Sequence, residues 1–255
     1  MTGHKVLEVM GSGEFLPWSE GVDRFALSKA RSGDGSVVIL PIASAPEGDE
    51  VFDRWAGMGL EHYKKMGVHA RVLPLKTRED AHLDVLVEEL ATASLIFFSG
   101  GNPAYLATTL KETPFWDAIL EAVDRGVALA GCSAGACILG EVAPDSTAES
   151  LEAITWQPGL GLVPKVVFGP HWNMLESFMP GLQDYILSVV PKDSVFVGLD
   201  ENTAMAGDGQ DWQVFGDSEI HVRWGGESWN FRAGDTFDLR ELAPAAYGEK
   251  RRTSE

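Results

Sequence analysis

The chain has 255 residues, of which 45% are hydrophobic, enough apolar material for one substantial core. Its 38 acidic and 20 basic residues give a net charge of −18, and these charges are spread along the chain. Because a field of this sign repels phosphate backbones and anionic lipid surfaces, we expect neither nucleic acid nor a membrane as partner.

The cysteines and the N-terminus narrow the class of protein further. Cys132 and Cys137 are five positions apart, a spacing that suits neither a disulfide framework nor a CxxC metal site, and we expect no metal and no other cofactor. The first ten residues lack the apolar stretch of a secretory signal, and no apolar run reaches the ~18 residues that a membrane span needs. The sequence predicts a cytoplasmic protein, and it leaves a homodimer open.

Strands and helices alternate through the first half of the chain. Short apolar runs predict strands at 6–10, 37–41, 69–74, 94–99 and 127–130, and helical spacing predicts helices at 22–30, 50–66, 83–93, 103–110 and 114–125. This order predicts an α/β fold with a mostly parallel sheet, helices on both of its faces, and a site at the carboxyl ends of the strands.

The second half is less regular. The sequence predicts strands at 165–168 and 194–197, and a helix at 174–190 that Pro180 and Gly181 interrupt. Short β-runs at 212–215, 220–224 and 229–231 predict C-terminal hairpins at one edge of the sheet. No linker divides the chain, so we expect a single domain over 1–242 and a frayed tail over 243–255.

A nucleophile elbow is predicted at Gly131-Cys132-Ser133-Ala134-Gly135. Small residues flank Ser133 where a strand turns sharply into a helix, which would expose its Oγ and aim the Ala134 amide at the same space. The alternative is an ordinary strand-to-helix turn with an incidental serine.

Two further strand ends carry candidate contacts. The glycine pair before Asn102 is either a tight turn or the place where the Gly101 amide supplies a second oxyanion donor. The loop at 11–15 could approach a ligand closely, which makes Glu14 a candidate substrate contact. It fails as a dinucleotide fingerprint because the third glycine of GxGxxG would fall on Leu16.

A serine nucleophile needs a base and an acid that orients the base. His171 is the best base, because it follows a predicted strand and a Gly-Pro pair. Glu201, on the next strand-end loop, and the alternatives Glu149 and Asp145, which lie between serine and histidine, are candidates for the acid. Spacing does not choose among them.

The remaining histidines are expected to have no chemical role. His62, His69 and His82 are predicted on helix surfaces or strand edges, and His221 within a β-run is predicted to be structural.

Four stretches together resemble the serine peptidase family of dipeptidase E and cyanophycinase. They are Phe97-Phe-Ser-Gly-Gly-Asn102, Gly131-Cys-Ser-Ala-Gly-Ala136, Gly169-Pro-His171 and Val197-Gly-Leu-Asp-Glu-Asn-Thr-Ala204. The resemblance covers roughly residues 5 to 225 and implies a three-layer, flavodoxin-like fold related to class I glutamine amidotransferases.

The resemblance also implies roles for individual residues. Ser133 matches the family nucleophile, His171 the histidine, and Glu201 the cyanophycinase-type acid, whereas dipeptidase E is described with an acid between serine and histidine. The amides of Gly101 and Ala134 match the oxyanion hole. Related amidotransferases carry cysteine at the position of Ser133, so glutaminase chemistry is not expected.

Departures from the family pattern concern the substrate. Cyanophycinases carry Gly-Gly-Asp-Gln where this chain has Gly100-Gly-Asn-Pro103, and no arginine or lysine occurs between Trp172 and Val190. Asn102 and Trp172 are candidate substrate contacts, and Trp172, Met174 and Phe178 indicate a more apolar pocket than an aspartyl substrate would need.

The predicted function is therefore that of a serine hydrolase, a dipeptidase-like peptidase that cleaves a small peptide or amide through an acyl-enzyme. One alternative is a binding or pathway protein that keeps the fold without turnover. A second is an α/β-hydrolase esterase, in which the acid precedes the histidine.

Overall fold

The computed structural model describes residues 5–248. Its strands, in chain order, are β1 Leu7–Met10, β2 Ser36–Leu40, β3 Ala70–Val72, β4 Ala93–Phe98, β5 Ala128–Cys132, β6 Val142–Pro144, β7 Trp156–Pro158, β8 Val166–Gly169, β9 Val195–Leu199, β10 Thr203–Gly207, β11 Asp211–Gly216, β12 Glu219–Trp224, β13 Glu227–Arg232 and β14 Thr236–Asp238. Its α-helices are α1 Glu20–Lys29, α2 Asp49–Lys65, α3 Asp84–Glu88, α4 Pro103–Leu110, α5 Pro114–Asp124, α6 Ala134–Leu139, α7 Leu175–Phe178, α8 Leu182–Val189 and α9 Leu239–Leu242. Within the described range, no helix has the length and apolar character needed to cross a bilayer.

An eight-stranded sheet forms the centre of the molecule, in the order β14-β11-β10-β1-β5-β4-β2-β3. The strands from β1 to β3 in this order are parallel to one another, and β10, β11 and β14 extend the sheet antiparallel. The carboxyl ends of β1, β5 and β4 therefore meet at one edge, as the alternating pattern predicts.

Apolar side chains cover both faces of this sheet. Leu7 and Val9 of β1 point into a core shared with α4, α5 and α6, whereas Met10 points into a core shared with α1 and α2. The predicted three-layer α/β architecture with a mostly parallel sheet is confirmed.

A second sheet, in the order β13-β12-β9-β8, carries the other strand-end loops. β8 and β9 are parallel neighbours, and β12 and β13 continue the sheet antiparallel. This arrangement corrects the expectation of hairpins at one edge. β10 and β11 join the large sheet while β12 and β13 join the small one, because each hairpin pairs with a different partner strand.

Local patterns overestimated several elements. The helix predicted at 83–93 is limited to α3, and the one predicted at 174–190 is divided into α7 and α8 at Gly181, whose φ is 80°.

Polar loops at 142–158 pair as the β6–β7 hairpin. Packing continues past the predicted boundary at 242, since Ala243 is fully buried. The part of the predicted tail at 249–255 lies outside the described residues.

His62 was expected on a helix surface and is instead buried. Its Nε2 lies 2.8 Å from Oδ2 of Asp23, whose Oδ1 accepts a 2.7 Å hydrogen bond from the Tyr63 hydroxyl. The helical pattern of α2 did not reveal this position, because the partner that satisfies the imidazole comes from α1.

Candidate active site

Ser133 lies on a strained turn between β5 and α6, with φ 52° and ψ −109°. Such a conformation costs a non-glycine residue about 1–3 kcal/mol and persists only where the surroundings enforce it. Here a Cβ on Gly131 would lie 2.4 Å from the carbonyl oxygen of Gly135, and a Cβ on Gly135 would lie 2.5 Å from that of Phe98. Backbone packing therefore holds the half-buried Ser133 at the edge of the large sheet.

The loop after β4 lies beside the elbow. Gly101 has a φ of 140°, and a Cβ there would come within 2.3 Å of the carbonyl carbon and oxygen of Ala43. The next amide, that of Asn102, donates a 2.8 Å hydrogen bond to the Ala43 oxygen. Within residues 5–248 no protein acceptor pairs with the N–H of Gly101 or with that of Ala134 at the start of α6. Two adjacent strand ends thus each provide a free backbone donor.

Glu14 is buried beneath these two turns. Its Oε1 accepts a 2.8 Å hydrogen bond from the Gly100 amide, and its Oε2 accepts a 2.9 Å hydrogen bond from the Cys132 thiol. This position corrects the expectation that Glu14 contacts substrate, because both oxygens are occupied by the protein itself. Glu14 instead links the glycine loop to the elbow.

His171 and Glu201 come from the small sheet. Each lies two residues beyond the end of a strand, β8 and β9 respectively, and these strands are parallel with Gly169 opposite Gly198. The two loops consequently emerge side by side. His171 adopts the left-handed conformation, with φ 53° and ψ 29°, which turns the chain directly after the strand.

Ser133, His171 and Glu201 form a continuous hydrogen-bonded chain. Ser133 Oγ lies 2.9 Å from His171 Nε2, and His171 Nδ1 lies 3.0 Å from Glu201 Oε1. Because a carboxylate only accepts, Nδ1 carries the ring proton and donates it to Glu201, and Nε2 is left to accept from the serine hydroxyl. This arrangement suits a base that removes the hydroxyl proton.

The other two candidate acids are placed elsewhere. Asp145 Oδ1 accepts a 2.9 Å hydrogen bond from the Asn102 side chain and two more from Thr147, at 3.0 Å from its amide and 2.8 Å from its hydroxyl. Glu149 is exposed on the loop between β6 and β7. Of the three carboxylates, only that of Glu201 is hydrogen bonded to the imidazole.

A cavity of about 450 Å³ opens onto Ser133 and His171. Its walls are mostly apolar, and they include Ile154, Trp156, Leu175, Phe178, Met179, Leu182 and Ile186. Asp145 is its one carboxylate, and in the described part of the chain no lysine or arginine lines it. A larger cavity, of about 620 Å³, lies where β1 begins, at the edge of the large sheet opposite Ser133.

Two predicted substrate contacts are used structurally. Trp172 is buried, and its ring centroid lies 4.7 Å from that of Phe196 in the small apolar core behind the cavity. A Cβ on Gly198 would lie 2.8 Å from this indole, so β9 leaves space for the ring there. The expectation that Trp172 faces substrate is corrected. Asn102 caps α4 through Oδ1, which accepts from the Tyr105 amide, and its side chain also reaches Asp145.

Sequence patterns did not identify every residue of the site. Asn173 Oδ1 accepts a 2.9 Å hydrogen bond from the Glu201 amide and so ties the two loops of the small sheet together. The apolar wall formed by α7 and α8 was anticipated only at Phe178, whose ring centroid lies 5.7 Å from that of His171. The apolar residues on one side of α7 and of α8 could have indicated this wall from the sequence. No local sequence signal indicates the role of Asn173.

The two thiols beside the elbow are poor nucleophiles. Burial, followed by the charge of Glu14, raises the pKa of Cys132 well above its usual range, and burial raises the pKa of Cys137 to about 12. Neither thiol is ionised at neutral pH, so neither is an activated nucleophile. Among residues 5–248, no group of three or more His, Cys, Asp or Glu side chains is arranged to hold a metal ion.

Known proteins resemble this chain in sequence and in fold. The model of peptidase family S51 matches residues 8–215. A crystal structure of a peptidase from an acI-B1 Actinobacterium superimposes with a TM-score of 0.84 at 33% identity, over 92% of this chain and 98% of that one.

Curated relatives include two cyanophycinases. The enzyme of Nostoc sp. is 26% identical over 201 residues, which are 75% of this chain and 65% of that protein. The enzyme of Synechococcus elongatus is 29% identical over 213 residues, which are 79% of this chain and 62% of that protein. The chain thus spans slightly less than two thirds of the length of these relatives.

Proposed function

The chain belongs to peptidase family S51, and from this membership we propose that it is a serine peptidase that cleaves a small peptide or amide with Ser133 as nucleophile. One observation carries the proposal, the hydrogen-bonded chain from Ser133 through His171 to Glu201. Serine at its ordinary pKa is a weak nucleophile, and an oriented imidazole on its Oγ removes that limitation.

In the proposed reaction His171 Nε2 takes the hydroxyl proton of Ser133 as Oγ attacks the substrate carbonyl carbon. The carbonyl oxygen becomes an oxyanion, which the free amides of Gly101 and Ala134 stabilise because they are aligned before the charge develops. The negative charge of Glu201 stabilises the imidazolium that forms.

The tetrahedral intermediate then collapses, and the C–N bond breaks as His171 donates its proton to the leaving amine. Water subsequently enters, His171 removes one of its protons, and the hydroxide attacks the acyl-enzyme ester. Release of the carboxylic acid returns the proton to Ser133 Oγ and restores the starting state.

Labelling with a fluorophosphonate tests the proposal directly. We expect an adduct on Ser133 that disappears in Ser133→Ala and in His171→Ala, and loss of about 10⁴- to 10⁶-fold in turnover of any cleaved dipeptide in Ser133→Ala. Ser28→Ala, a change on the exposed side of α1, is the matched control and should label normally. Absence of an adduct and of dipeptide cleavage in the wild type would favour a binding protein on the same fold.

A further inference from the structure

On the premise of the serine peptidase proposed above, we infer that the substrate is a short peptide with a free N-terminus and a large apolar first residue. Asp145 binds the α-ammonium group of that residue, and the cavity beside Ser133 takes its side chain.

The walls of the cavity select the side chain. α7 and α8 turn their apolar side chains toward Ser133, and the ring of Phe178 is 59% exposed although it lies edge-on to His171. An aromatic side chain left in water beside the reacting serine gains stability when an apolar group covers it. A substrate with a leucyl or phenylalanyl residue supplies such a group.

Asp145 provides the charge that recognises the N-terminus. The backbone and hydroxyl of Thr147, followed by the Asn102 side chain, donate hydrogen bonds that lower the pKa of Asp145, so it is ionised at neutral pH. All three bonds go to Oδ1, and within the described residues no donor reaches Oδ2. A carboxylate with one fixed and one free oxygen is oriented to bind an ammonium group.

The position of Asp145 matches an α-amino group. In an acyl residue the amino nitrogen is two bonds from the carbonyl carbon, so its partner must lie next to the oxyanion loop. Asp145 satisfies this requirement because the Asn102 side chain, directly after Gly101, holds it there. The same contact positions the carboxylate relative to both the reacting carbonyl and the apolar wall.

The cavity also disfavours acidic substrates. A substrate carboxylate entering it would meet Asp145 and, among the described lining residues, no lysine or arginine. Like charges at close range in a partly desolvated site repel strongly.

The experiment compares kcat/KM for Phe-Leu, Ala-Leu, Asp-Leu, N-acetyl-Phe-Leu and N-acetyl-Lys-Leu. We expect Phe-Leu to be cleaved best, with about a 10- to 100-fold advantage over N-acetyl-Phe-Leu, because acetylation removes the charged donor. Preference for Asp-Leu or for N-acetyl-Phe-Leu would overturn the inference. So would cleavage of N-acetyl-Lys-Leu at the rate of Phe-Leu, since the cation would then come from a side chain.

Asp145→Asn tests the carboxylate without disturbing the loop, because the amide oxygen can accept the same three hydrogen bonds as Oδ1. We expect kcat/KM for Phe-Leu to fall by about 10- to 100-fold and the advantage of Phe-Leu over its acetylated form to disappear. An unchanged advantage would show that another group binds the N-terminus.

Phe178→Ala tests the apolar wall. We expect the preference for Phe-Leu over Ala-Leu to fall by about tenfold, since part of the apolar contact is lost. Val85→Ala, at an apolar side chain that is 62% exposed on α3, is the control and should leave this preference unchanged.

Fluorophosphonate labelling distinguishes failure of the substrate inference from failure of the proposed peptidase function. A protein that labels at Ser133 but prefers Asp-Leu overturns the inference and leaves the proposed function in place. A protein that neither labels nor cleaves any of these peptides overturns both.

Discussion

The two sides of the candidate site are built on different physical principles. The nucleophile side, named for the proposed nucleophile Ser133, follows β4 and β5 of the large sheet. There Gly101, Gly131 and Gly135 each have backbone atoms within 2.6 Å of the place of a Cβ. The base side, named for the proposed base His171, follows β8 and β9 of the small sheet. There the side chains of His171 and Glu201 are 27% and 38% exposed. Close backbone packing fixes the first side, and hydrogen bonds between side chains fix the second.

This difference implies that each side is sensitive to a different kind of change. Added atoms should disrupt the nucleophile side, which has no space for them. Loss of a charge or of a hydrogen bond should disrupt the base side, where solvent and neighbouring loops leave room for a new side chain of similar size.

Among changes that leave Ser133 and His171 in place, the largest effect is expected on the base side, from Glu201→Gln. The amide keeps the size of the side chain but removes the charge that stabilises the imidazolium, so kcat should fall by about 10³- to 10⁴-fold. Steady-state hydrolysis of a cleaved dipeptide measures the change.

Glu149→Gln is the matched control for Glu201→Gln and should retain the wild-type rate. The reverse result, with loss of activity in Glu149→Gln alone, would place the acid before the histidine in the chain, as in α/β-hydrolases.

A smaller effect is expected on the nucleophile side from Gly101→Ala. The added methyl would overlap the Ala43 carbonyl, so the loop must shift and carry its amide away from the oxyanion, which should lower kcat by about 10²- to 10³-fold. Kinetics and thermal unfolding should be measured together.

Gly57→Ala in α2 controls for the exchange itself, because no heavy atom lies within 4 Å of the new Cβ. A folded Gly101→Ala variant with full turnover would show that the Gly101 amide does not stabilise the oxyanion.

The smallest effect concerns the free energy of unfolding, to which Asp200, next to Glu201 in the chain, contributes. Burial alone would raise the pKa of Asp200, but hydrogen bonds from His221 and Ser218 outweigh it and lower that pKa. A lowered folded-state pKa stabilises the protein above the unfolded-state pKa, and this stabilisation is lost as pH falls through the folded-state value.

Asp200→Asn should therefore reduce the free energy of unfolding at pH 7 by about 1–3 kcal/mol, a difference that narrows below about pH 4 as the wild-type carboxyl becomes protonated. Denaturant unfolding at pH 7 and again below about pH 4 measures this difference in the free energy of unfolding. Asp217→Asn, at an exposed position, is the control. A deficit of the same size at both pH values would contradict the role of the charge.

Local patterns were informative wherever the chain itself imposes the geometry. Alternating apolar runs predicted the parallel strands, and the small residues around Ser133 predicted its turn, because a strained turn can be built only from such residues. The Gly-Pro pair that separates His171 from the end of a strand indicated this histidine as the candidate base. The peptidase family was identified from the same four strand-end stretches.

Side-chain surroundings were less predictable. Glu14 and Trp172 both lie on loops next to the site, as expected, yet one is buried under the elbow and the other in a small core. The direction in which a loop side chain points depends on which element packs over it, and the sequence of the loop does not contain that information.

The sequence by itself thus determined the parallel layer, the strained serine and the set of candidate bases and acids, because periodicity and turn chemistry are local. Only the tertiary structure decided that the strands before His171 and Glu201 form a separate sheet, and that of the three carboxylates only Glu201 reaches the imidazole. Both outcomes depend on pairing between strands about 30 residues apart, and such pairing is set by packing of the whole chain rather than by any single segment.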